Sequence, residues 1–403
     1  MTPTPLCGRS IRSALTFLSL LLGAASIASA QTPPVVLYVP NFNNSTLSEF
    51  LVASSGALTA QPTKPTNRNA IEIAVAPNRK FMYVGENGAI DLFTIATDGT
   101  ATPAPAATIT GNVDGLGVDT TGSYLYVLDS SLQQLETYSI NQTNGQLTMV
   151  TAATITFPAT YALKGLTIDK NNNLFIGVVN NGSGSGWIQA YKNASSGALV
   201  ANGTYGTGAA SGLGPYRLIT NPAGTMLFAA DYTDAGISQF TISGTGTLSL
   251  VALPLSTGAG TLPLGLAISP NGSFLLVTNN ASGGGVFVYT IGSGASLAAV
   301  AGSPFAGGVS NTGVTVDPNG VNVFVSSFGD NSVIRFAMNT STGVLSSPVV
   351  TSGFAGPEFL LSGFLPSVAV TTVPTLPAWG LLLLAMLLAA SGVLMYRRAY
   401  RKA

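Results

Sequence analysis

The fold is decided by the stretch Leu266-Ala-Ile-Ser-Pro-Asn-Gly-Ser-Phe-Leu-Leu-Val277, which returns in altered form along the chain. Five further copies stand in the same register: Ile73–Val84, Leu116–Val127, Leu166–Gly177, Leu218–Ala229 and Val314–Val325. Neighbouring copies begin roughly 43–52 residues apart. That period is typical of propeller blades rather than of helical solenoids. The repeat therefore predicts one large all-β domain.

Each copy reads as four short antiparallel strands. In Gly265–Ala298, a first strand ends at Ser269, and Pro270-Asn271-Gly272 supplies a tight turn in which proline presets φ. The following Ser273–Asn279 is continuously apolar at its centre, which indicates burial on both faces between neighbouring blades. A lone four-stranded sheet cannot cover both of its faces, whereas stacking around an axis can.

The number of copies predicts seven blades, with eight as the alternative. Six copies are complete, and Leu37-Tyr-Val39 matches the second strand of a seventh that lacks its innermost strand. The segment near Pro357–Gly363 belongs to no copy and could supply that strand from the C-terminal side. We therefore predict a ring that is closed by both ends of the domain.

The recurrent Tyr-Val strand with its Pro-Asn-Gly turn resembles the lactonase-type, or YVTN-type, seven-bladed β-propeller family over about Val35–Phe364. The resemblance implies a propeller with a central funnel. It also implies hydrolysis of 6-phosphogluconolactone as the founding activity, with relatives that bind rather than react. Members of the family are thought to use a histidine with arginine and acidic partners in the funnel, and this chain has no histidine.

The missing histidine also removes Ser-His and Cys-His nucleophile pairs and histidine-based metal centres. A candidate site remains where the innermost strands begin. The aligned positions there hold Glu72, Asp114, Lys164, Tyr216–Arg217, Leu264–Gly265 and Thr312–Gly313, with Glu358 added by the closing strand. Charges of both signs around a funnel could hold a sugar or a carboxylate, although strand ends that meet water also tolerate charge.

Two other motifs are weaker. Asp169-Lys-Asn171-Asn-Asn173 begins like a calcium loop but has Leu174 where glycine is needed, so we interpret it as a turn. Gly182–Gly186 is interpreted as an inter-strand loop rather than a phosphate cradle, because no Lys-Ser/Thr pair follows it. We predict no metal site and no cofactor.

Charge argues against some partners. Only 7% of the residues are charged, and six of the fifteen basic residues lie in the two terminal segments. The central part therefore carries nine basic against fifteen acidic residues, or about −6. Such a balance disfavours nucleic acid as a partner.

The N-terminal residues 1–30 predict a secretory signal peptide. Arg9 and Arg12 precede an apolar core, and Ala28-Ser29-Ala30 offers a small-residue cleavage site. An uncleaved membrane anchor is the alternative, but the core of roughly a dozen residues is short for a bilayer. Cys7, the only cysteine, lies upstream of this core, so cleavage would leave a protein without thiols.

The C-terminal residues 371–403 predict a sorting segment that follows a propeller domain over 31–370. A charge-free run at about 378–396 is long enough for a transmembrane helix, and the basic tail 397–402 favours a cytoplasmic end. Just before it, Val373-Pro374-Thr375-Leu376 with Trp379 and Gly380 resembles the IPTL-CTERM sorting signal. The resemblance implies a Gram-negative exported protein, anchored in the inner membrane until an exosortase-type enzyme releases it to the cell surface or extracellular space. A plain C-terminal anchor is the alternative.

These observations lead to a main hypothesis and two rivals. The main one is an exported, surface-sorted propeller that acts as a binding or structural module for a polysaccharide or protein ligand. The first rival is a lactonase-like hydrolase that uses the funnel carboxylates and Arg217. A quinone- or metal-dependent dehydrogenase is the second, disfavoured because no cofactor motif is present.

Overall fold

In the computed structural model, the described residues are 35–182, 185–193, 196–208 and 214–364, and they form antiparallel sheets arranged in blades. Blade 1 contains β1 (Val35–Asn41), β2 (Thr46–Val52), β3 (Leu58–Ala60) and β4 (Lys64–Pro65). Blades 2 and 3 contain β5 (Ala70–Val75), β6 (Phe81–Ile95), β7 (Ala101–Val118), β8 (Tyr124–Asp129), β9 (Gln134–Ile140), β10 (Leu147–Met149) and β11 (Ile155–Thr156). Blade 4 contains β12 (Tyr161–Ile168), β13 (Asn173–Asn180), β14 (Gly186–Asn193) and β15 (Leu199–Gly206).

The remaining strands complete the set. Blade 5 contains β16 (Pro215–Thr220), β17 (Met226–Asp231), β18 (Gly236–Ile242), β19 (Leu248–Leu250) and β20 (Leu255–Ser256). Blade 6 contains β21 (Pro263–Ile268), β22 (Phe274–Asn279), β23 (Val286–Ile291) and β24 (Leu297–Ala299). Blade 7 contains β25 (Asn311–Val316), β26 (Asn322–Ser327), β27 (Ser332–Met338) and β28 (Leu345–Ser352), and β29 (Leu361–Phe364) follows. Apart from two 3₁₀ turns, Thr151–Ala153 and Ser293–Ala295, the described part of the chain holds no helix.

Blades 2 and 3 share one continuous sheet, because β7 changes partner along its length. Its first part pairs with β6, and from Val113 onward it pairs with β8. β6 in turn folds back on itself, since the Ile95 amide donates to the Lys80 carbonyl oxygen at 2.8 Å. Dividing the sheet within β7 gives seven blades among the described strands, the number that the repeat predicts.

The predicted closure of the ring is confirmed. β29 pairs antiparallel with β1, with Tyr38 opposite Leu361 and Val35 opposite Phe364. Blade 1 is therefore completed by the C-terminal side of the domain, and its sheet order is β29-β1-β2-β3.

The core lies between the blades. Second strands such as β22 and β26 are buried along their whole length, and the clusters of buried side chains join residues of adjacent blades. Phe274 and Val288 of blade 6, for example, pack with Val325 and Phe336 of blade 7. The continuous apolar runs thus mark strands that are covered on both faces.

The innermost strands approach each other closely at glycines. A Cβ atom on Gly265 would lie 2.3 Å from the carbonyl oxygen of Thr312, in the next blade. A Cβ on Gly313 would likewise lie 2.9 Å from the carbonyl oxygen of Glu358. Backbone cannot move aside as a side chain can, so these positions require glycine.

We expect Gly265→Ala to lower the free energy of unfolding by about 1–3 kcal/mol, because the added methyl overlaps a backbone carbonyl. Gly283→Ala is the matched control, since nothing lies within 4 Å of a Cβ at that position. Urea unfolding of both variants provides the comparison. Equal midpoints would contradict close packing of blades 6 and 7 at the inner strands.

The predicted terminal segments, the signal peptide over 1–30 and the sorting segment over 371–403 with its helix at 378–396, lie outside the described residues. Within the described ranges no helix is long and apolar enough to cross a membrane.

Candidate functional site

The candidate site lies at the mouth, defined here as the end of the channel where the innermost strands begin. There each innermost strand of blades 2 to 7 contains one extra residue relative to its partner, a β-bulge. The bulges lie between Ala70 and Glu72, Val113 and Gly115, Lys164 and Leu166, Pro215 and Arg217, Pro263 and Leu266, and Asn311 and Val314. A bulge re-aims the neighbouring side chains and interrupts the ladder. The candidate residues of blades 2 to 5 therefore lie in or beside the same local distortion, repeated from blade to blade.

Side chains satisfy the backbone groups that two of these bulges release. The Gly265 amide donates to Thr278 Oγ1 at 2.7 Å, and the Gly313 amide donates to Ser326 Oγ at 2.7 Å. The bulges in blades 6 and 7 are therefore built into the hydrogen-bonding of the sheet.

Arg217 is the centre of the site. Its Nη1 lies 3.5 Å from Glu72 Oε2, and it donates a hydrogen bond of 2.5 Å to the backbone oxygen of Asp114. The guanidinium carbon lies 3.9 Å from the ring centre of Phe359. These contacts join Arg217 to blades 2 and 3 and to the closing segment. The guanidinium is thus held from three sides across the channel.

The Arg217–Glu72 pair is mostly buried but incompletely satisfied. The two side chains are 15% and 17% exposed, respectively. Arg217 Nε and Glu72 Oε2 have no hydrogen-bond partner among the described residues, although Oε2 takes part in the ion pair. A buried polar atom without a hydrogen bond is costly. The pair is therefore held by its charges and by the Asp114 oxygen, while these two buried atoms lack hydrogen bonds among the described residues.

Glu358 has an altered acidity. Burial raises the pKa of its carboxyl to about 7, with a further increase from the charge of Glu72, and the attraction of Arg217 offsets only part of this. Burial is also the main cause of the raised pKa of Glu72, where Arg217 acts in the opposite direction. A carboxyl with a pKa near neutrality can accept and return protons at physiological pH. The site thus holds a titrating group in the range that histidine usually serves.

Lys164 and Tyr216 form the other side of the mouth. Lys164 Nζ lies 4.6 Å from the ring centre of Tyr216. Tyr216 also stacks on Tyr232, with ring centres 4.7 Å apart and an angle of 28° between the planes. The Tyr232 hydroxyl donates to Asn280 Oδ1 at 2.9 Å. This side is consequently aromatic, whereas the Arg217 side is charged.

A cavity of about 290 Å³ occupies the channel next to the mouth. Glu72, Arg217 and Phe359 line it, and the rest of its wall is mostly aliphatic, including Leu166, Leu218, Leu266, Val314 and Leu361. The other four predicted residues are connected to this wall through their neighbours: the Asp114 backbone oxygen accepts from Arg217, Tyr216 and Glu358 directly precede Arg217 and Phe359, and Lys164 lies over the Tyr216 ring. The structure thus brings all six predicted residues to one end of the channel, two of them in the cavity wall.

Three residues of the mouth were not predicted from the sequence: Phe359, Tyr232 and Asn280. Phe359 directly follows Glu358 in the closing segment. Tyr232 and Asn280 each follow the last residue of a second strand, β17 and β22 respectively. Aligning the copies beyond Ala229 and Val277 would have placed these two residues at one equivalent position on the mouth face.

The two weaker motifs are structural where the structure describes them. Asp169 Oδ1 accepts the amides of Asn171 and Asn173, and its Oδ2 accepts the Asn173 side-chain amide. Asp317 closes the equivalent turn of blade 7 in the same way. The interpretation of Asp169 as a turn residue is confirmed. Gly182 donates to Asn180 Oδ1, and part of the predicted Gly182–Gly186 loop lies outside the described residues.

Metal ligands do not cluster in the described ranges. Over 35–182, 185–193, 196–208 and 214–364, no three His, Cys, Asp or Glu side chains stand together in a way that could hold an ion.

Comparisons with known proteins agree with this architecture. Residues 36–164 match the family model described as "Lactonase, 7-bladed beta-propeller", and residues 371–398 match the IPTL-CTERM motif. Both resemblances seen in the sequence are confirmed. The chain is 22% identical to the 6-phosphogluconolactonase of Yersinia pestis (strain Pestoides F) over 251 residues, which are 60% of this chain and 73% of that protein.

Solved structures show the same fold. A putative 6-phosphogluconolactonase from Bacteroides uniformis aligns with a TM-score of 0.71 at 14% identity, over 82% of this chain and all of that one. The periplasmic gluconolactonase of Pseudomonas aeruginosa aligns with a TM-score of 0.68 at 15% identity, over 83% of this chain and 100% of that one. At this level of identity the likeness establishes the propeller fold alone. The chemistry of the site must be argued from the residues of the mouth.

Proposed function

We propose that the mouth of this propeller hydrolyses a sugar lactone. The proposal rests on one observation: a half-buried carboxyl with a pKa of about 7, Glu358, stands within electrostatic reach of the fixed guanidinium of Arg217. The similar proteins support it, because all three that are described bear the names of lactone hydrolases, one of them as a putative enzyme. The absence of histidine does not oppose it, because Glu358 offers the neutral-range base that histidine would supply.

The groups suit the chemistry of ester-ring opening. In its ionised form Glu358 takes a proton from water as the water oxygen bonds to the lactone carbonyl carbon. Arg217 stabilises the negative charge that develops on the carbonyl oxygen. When the ring C–O bond breaks, Glu358 returns the proton to the departing oxygen. The product is one hydroxy acid for each lactone and water consumed.

Glu72 and Phe359 have positioning roles in this scheme. Glu72 holds one end of the guanidinium, and the ring of Phe359 supports its face. Positioning before the reaction matters, because a pre-organised charge requires no rearrangement in the transition state. Asp114 contributes its backbone oxygen, which fixes the same group from blade 3.

The hydrolase is therefore preferred to the binding module, which was the main hypothesis from the sequence. Charge-poor surfaces and a sorting tail are compatible with either. The proteins similar to this chain, however, favour the lactonase-like hydrolase. The sugar lactone as substrate and the individual roles of Glu72, Asp114, Arg217 and Glu358 are parts of the proposal.

Export and surface sorting complete the proposal. The IPTL-CTERM match supports processing by an exosortase-type system. Phe364, the last described residue, pairs with Val35 at the end of blade 1 opposite to the mouth. A chain tethered through the segment that follows Phe364 would thus present its mouth away from the membrane.

A panel of lactones tests the activity. Purified protein is incubated with glucono-1,5-lactone, 6-phosphoglucono-1,5-lactone and a γ-lactone, and acid release is followed in a weakly buffered solution against a protein-free blank. Turnover of any sugar lactone well above the blank supports the proposal. No turnover of any of them, by a protein that unfolds cooperatively, would restore the binding module as the better hypothesis.

We expect the activity to rise with pH through about 7. The base must be ionised, and burial raises the pKa of Glu358 to about 7. The active fraction is therefore small at pH 5.5 and nearly complete at pH 8. The measurement is kcat/KM for glucono-1,5-lactone from pH 5 to 8, after subtraction of spontaneous hydrolysis. A profile flat over this range would exclude Glu358 as the base.

A further inference from the structure

The aromatic side of the mouth forms an ordered stack that lactone hydrolysis does not use. Lys164, Tyr216 and Tyr232 follow one another, with Lys164 on the ring of Tyr216 and Tyr232 stacked against that same ring. Tyr216 and Tyr232 are both only partly buried. The stack begins beside Arg217, the next residue after Tyr216, and continues toward blade 6.

Tyr232 is held in one orientation even though it remains partly exposed. Its ring rests on Tyr216, and its hydroxyl is bonded to Asn280. Asn280 is itself fixed, because its backbone amide donates to the Leu262 carbonyl oxygen at 2.8 Å. A side chain ordered before binding loses little conformational entropy when a ligand arrives. Partly exposed aromatic rings with this degree of order are typical of recognition surfaces.

A second aromatic pair lies on the same face. Tyr161 and Trp187 meet edge to face, with ring centres 4.9 Å apart and an angle of 85°, and both are partly buried. They stand at or near the mouth-side starts of β12 and β14, in the blade that also supplies Lys164. Blades 4 and 5 therefore present four aromatic residues and a lysine on the mouth face.

This composition matches the surface of a sugar ring. The C–H groups on one face of a pyranose are apolar and pack against flat aromatic rings, while its hydroxyls need hydrogen-bond partners at the edge. Asn280 and Lys164 provide polar groups beside the rings. A pocket that combines aromatic walls with a few fixed polar groups is the usual form of a small-ligand site.

The single sugar ring of a monosaccharide lactone cannot contact both Arg217 and Tyr232. A lactone carbonyl beside Arg217 would place its sugar ring at the cavity that Arg217 lines. Tyr232 does not line that cavity, and its ring centre lies 4.7 Å from that of Tyr216, the neighbour of Arg217 in the sequence. A second sugar, linked to the first, would reach it.

We propose that the stack of Tyr216 and Tyr232 binds a second sugar ring, so that the preferred substrate is a glycosylated aldonolactone rather than a monosaccharide lactone. The inference rests on the proposed lactone hydrolysis for its substrate class, but the stacking of a sugar on Tyr232 stands on the geometry of the mouth.

The test compares substrates on the full-length protein. The ratio of kcat/KM for cellobiono-1,5-lactone or maltobiono-1,5-lactone to that for glucono-1,5-lactone is measured in wild type, Tyr232→Ala and Tyr232→Phe. We expect a wild-type ratio above one for at least one disaccharide lactone, a fall of about tenfold in Tyr232→Ala, and a ratio within about threefold of wild type in Tyr232→Phe. If Tyr232→Phe keeps the preference for the disaccharide lactone, that preference depends on the aromatic ring rather than on the hydroxyl. Equal ratios in all three proteins would overturn the proposal.

A binding measurement tests sugar stacking on Tyr232 independently of whether the protein hydrolyses lactones. Cellotetraose and maltotetraose, which contain no lactone, are titrated into wild type and Tyr232→Ala by calorimetry. Binding that is lost in Tyr232→Ala supports the stack even if no lactone is turned over. Lactone turnover with unchanged ratios and no oligosaccharide binding would overturn the stack and leave the hydrolase in place.

Discussion

Glu358→Gln is expected to lower kcat for lactone hydrolysis by about 10²–10⁴, the range typical for the loss of a general base. Glutamine keeps the size and hydrogen-bonding shape of the side chain but cannot take a proton from water. The change should also remove the rise in activity near pH 7, because the group whose pKa burial raises to about 7 is gone. The measurement is the rate at saturating lactone and its pH profile.

The control is Asp98→Asn, which neutralises an exposed carboxylate that lies in a loop away from the mouth. Its rate should stay close to that of wild type. Glu358→Gln also removes a half-buried carboxyl that is mostly ionised at pH 8. We therefore expect the variant to be at least as stable as wild type near pH 8, because glutamine carries no charge to desolvate. A variant that keeps full activity and an unchanged pH profile would contradict the assignment of Glu358.

Much of the architecture could be predicted because the repeat carries it. The register of the copies placed the strands of blade 6 within a few residues, from Pro263–Ile268 to Leu297–Ala299. The copy that began at Leu37 lacked one strand, and Pro357–Gly363 belonged to no copy, so the closure followed by elimination. In a repeat protein, a missing or additional strand can be recognised because it departs from the pattern of the other copies.

The site could be predicted as a set of positions but not as a set of contacts. Equivalent places in different blades must lie around one axis, so the register brought Glu72 and Arg217 together, and the predicted closing strand added Glu358. The support of Arg217 by Phe359, and the stacking of Tyr216 on Tyr232, depend on how adjacent blades meet at the mouth. The raised pKa of Glu358 depends on burial that only the closed ring produces.

The continuous strand that joins blades 2 and 3 also could not be predicted from the sequence. Five other blades open their outer strand with Gly-x-Leu, as at Gly145–Leu147, whereas blade 2 has Gly99-Thr-Ala101. Here β7 begins as an outer strand and runs on into the inner strand of blade 3. Strand ends depend on where the chain must turn, and the apolar pattern constrains that point weakly.

The second large effect is expected from removing the closing strand. A chain that ends after Ala355 loses β29 and the buried Leu360, whereas one that ends after Phe364 keeps both. The lost burial and hydrogen bonds together contribute on the order of 5 kcal/mol, a large part of the about 5–15 kcal/mol that holds a typical domain together. We expect the shorter chain to melt at a far lower temperature, and the longer one to unfold cooperatively.

Activity alone cannot report this effect, because Glu358 and Phe359 lie in the same segment as the closing strand. The comparison must therefore be made by thermal melting and by near-ultraviolet circular dichroism of the buried aromatic residues. Blade 1 would lose its innermost strand, so that Val36 and Tyr38 of β1 would keep β2 on one side and have no partner strand on the other. Exposed strand edges pair readily with other chains, so the shorter protein should also aggregate. Equal melting temperatures for the two proteins would mean that the remaining blades hold the ring closed without β29.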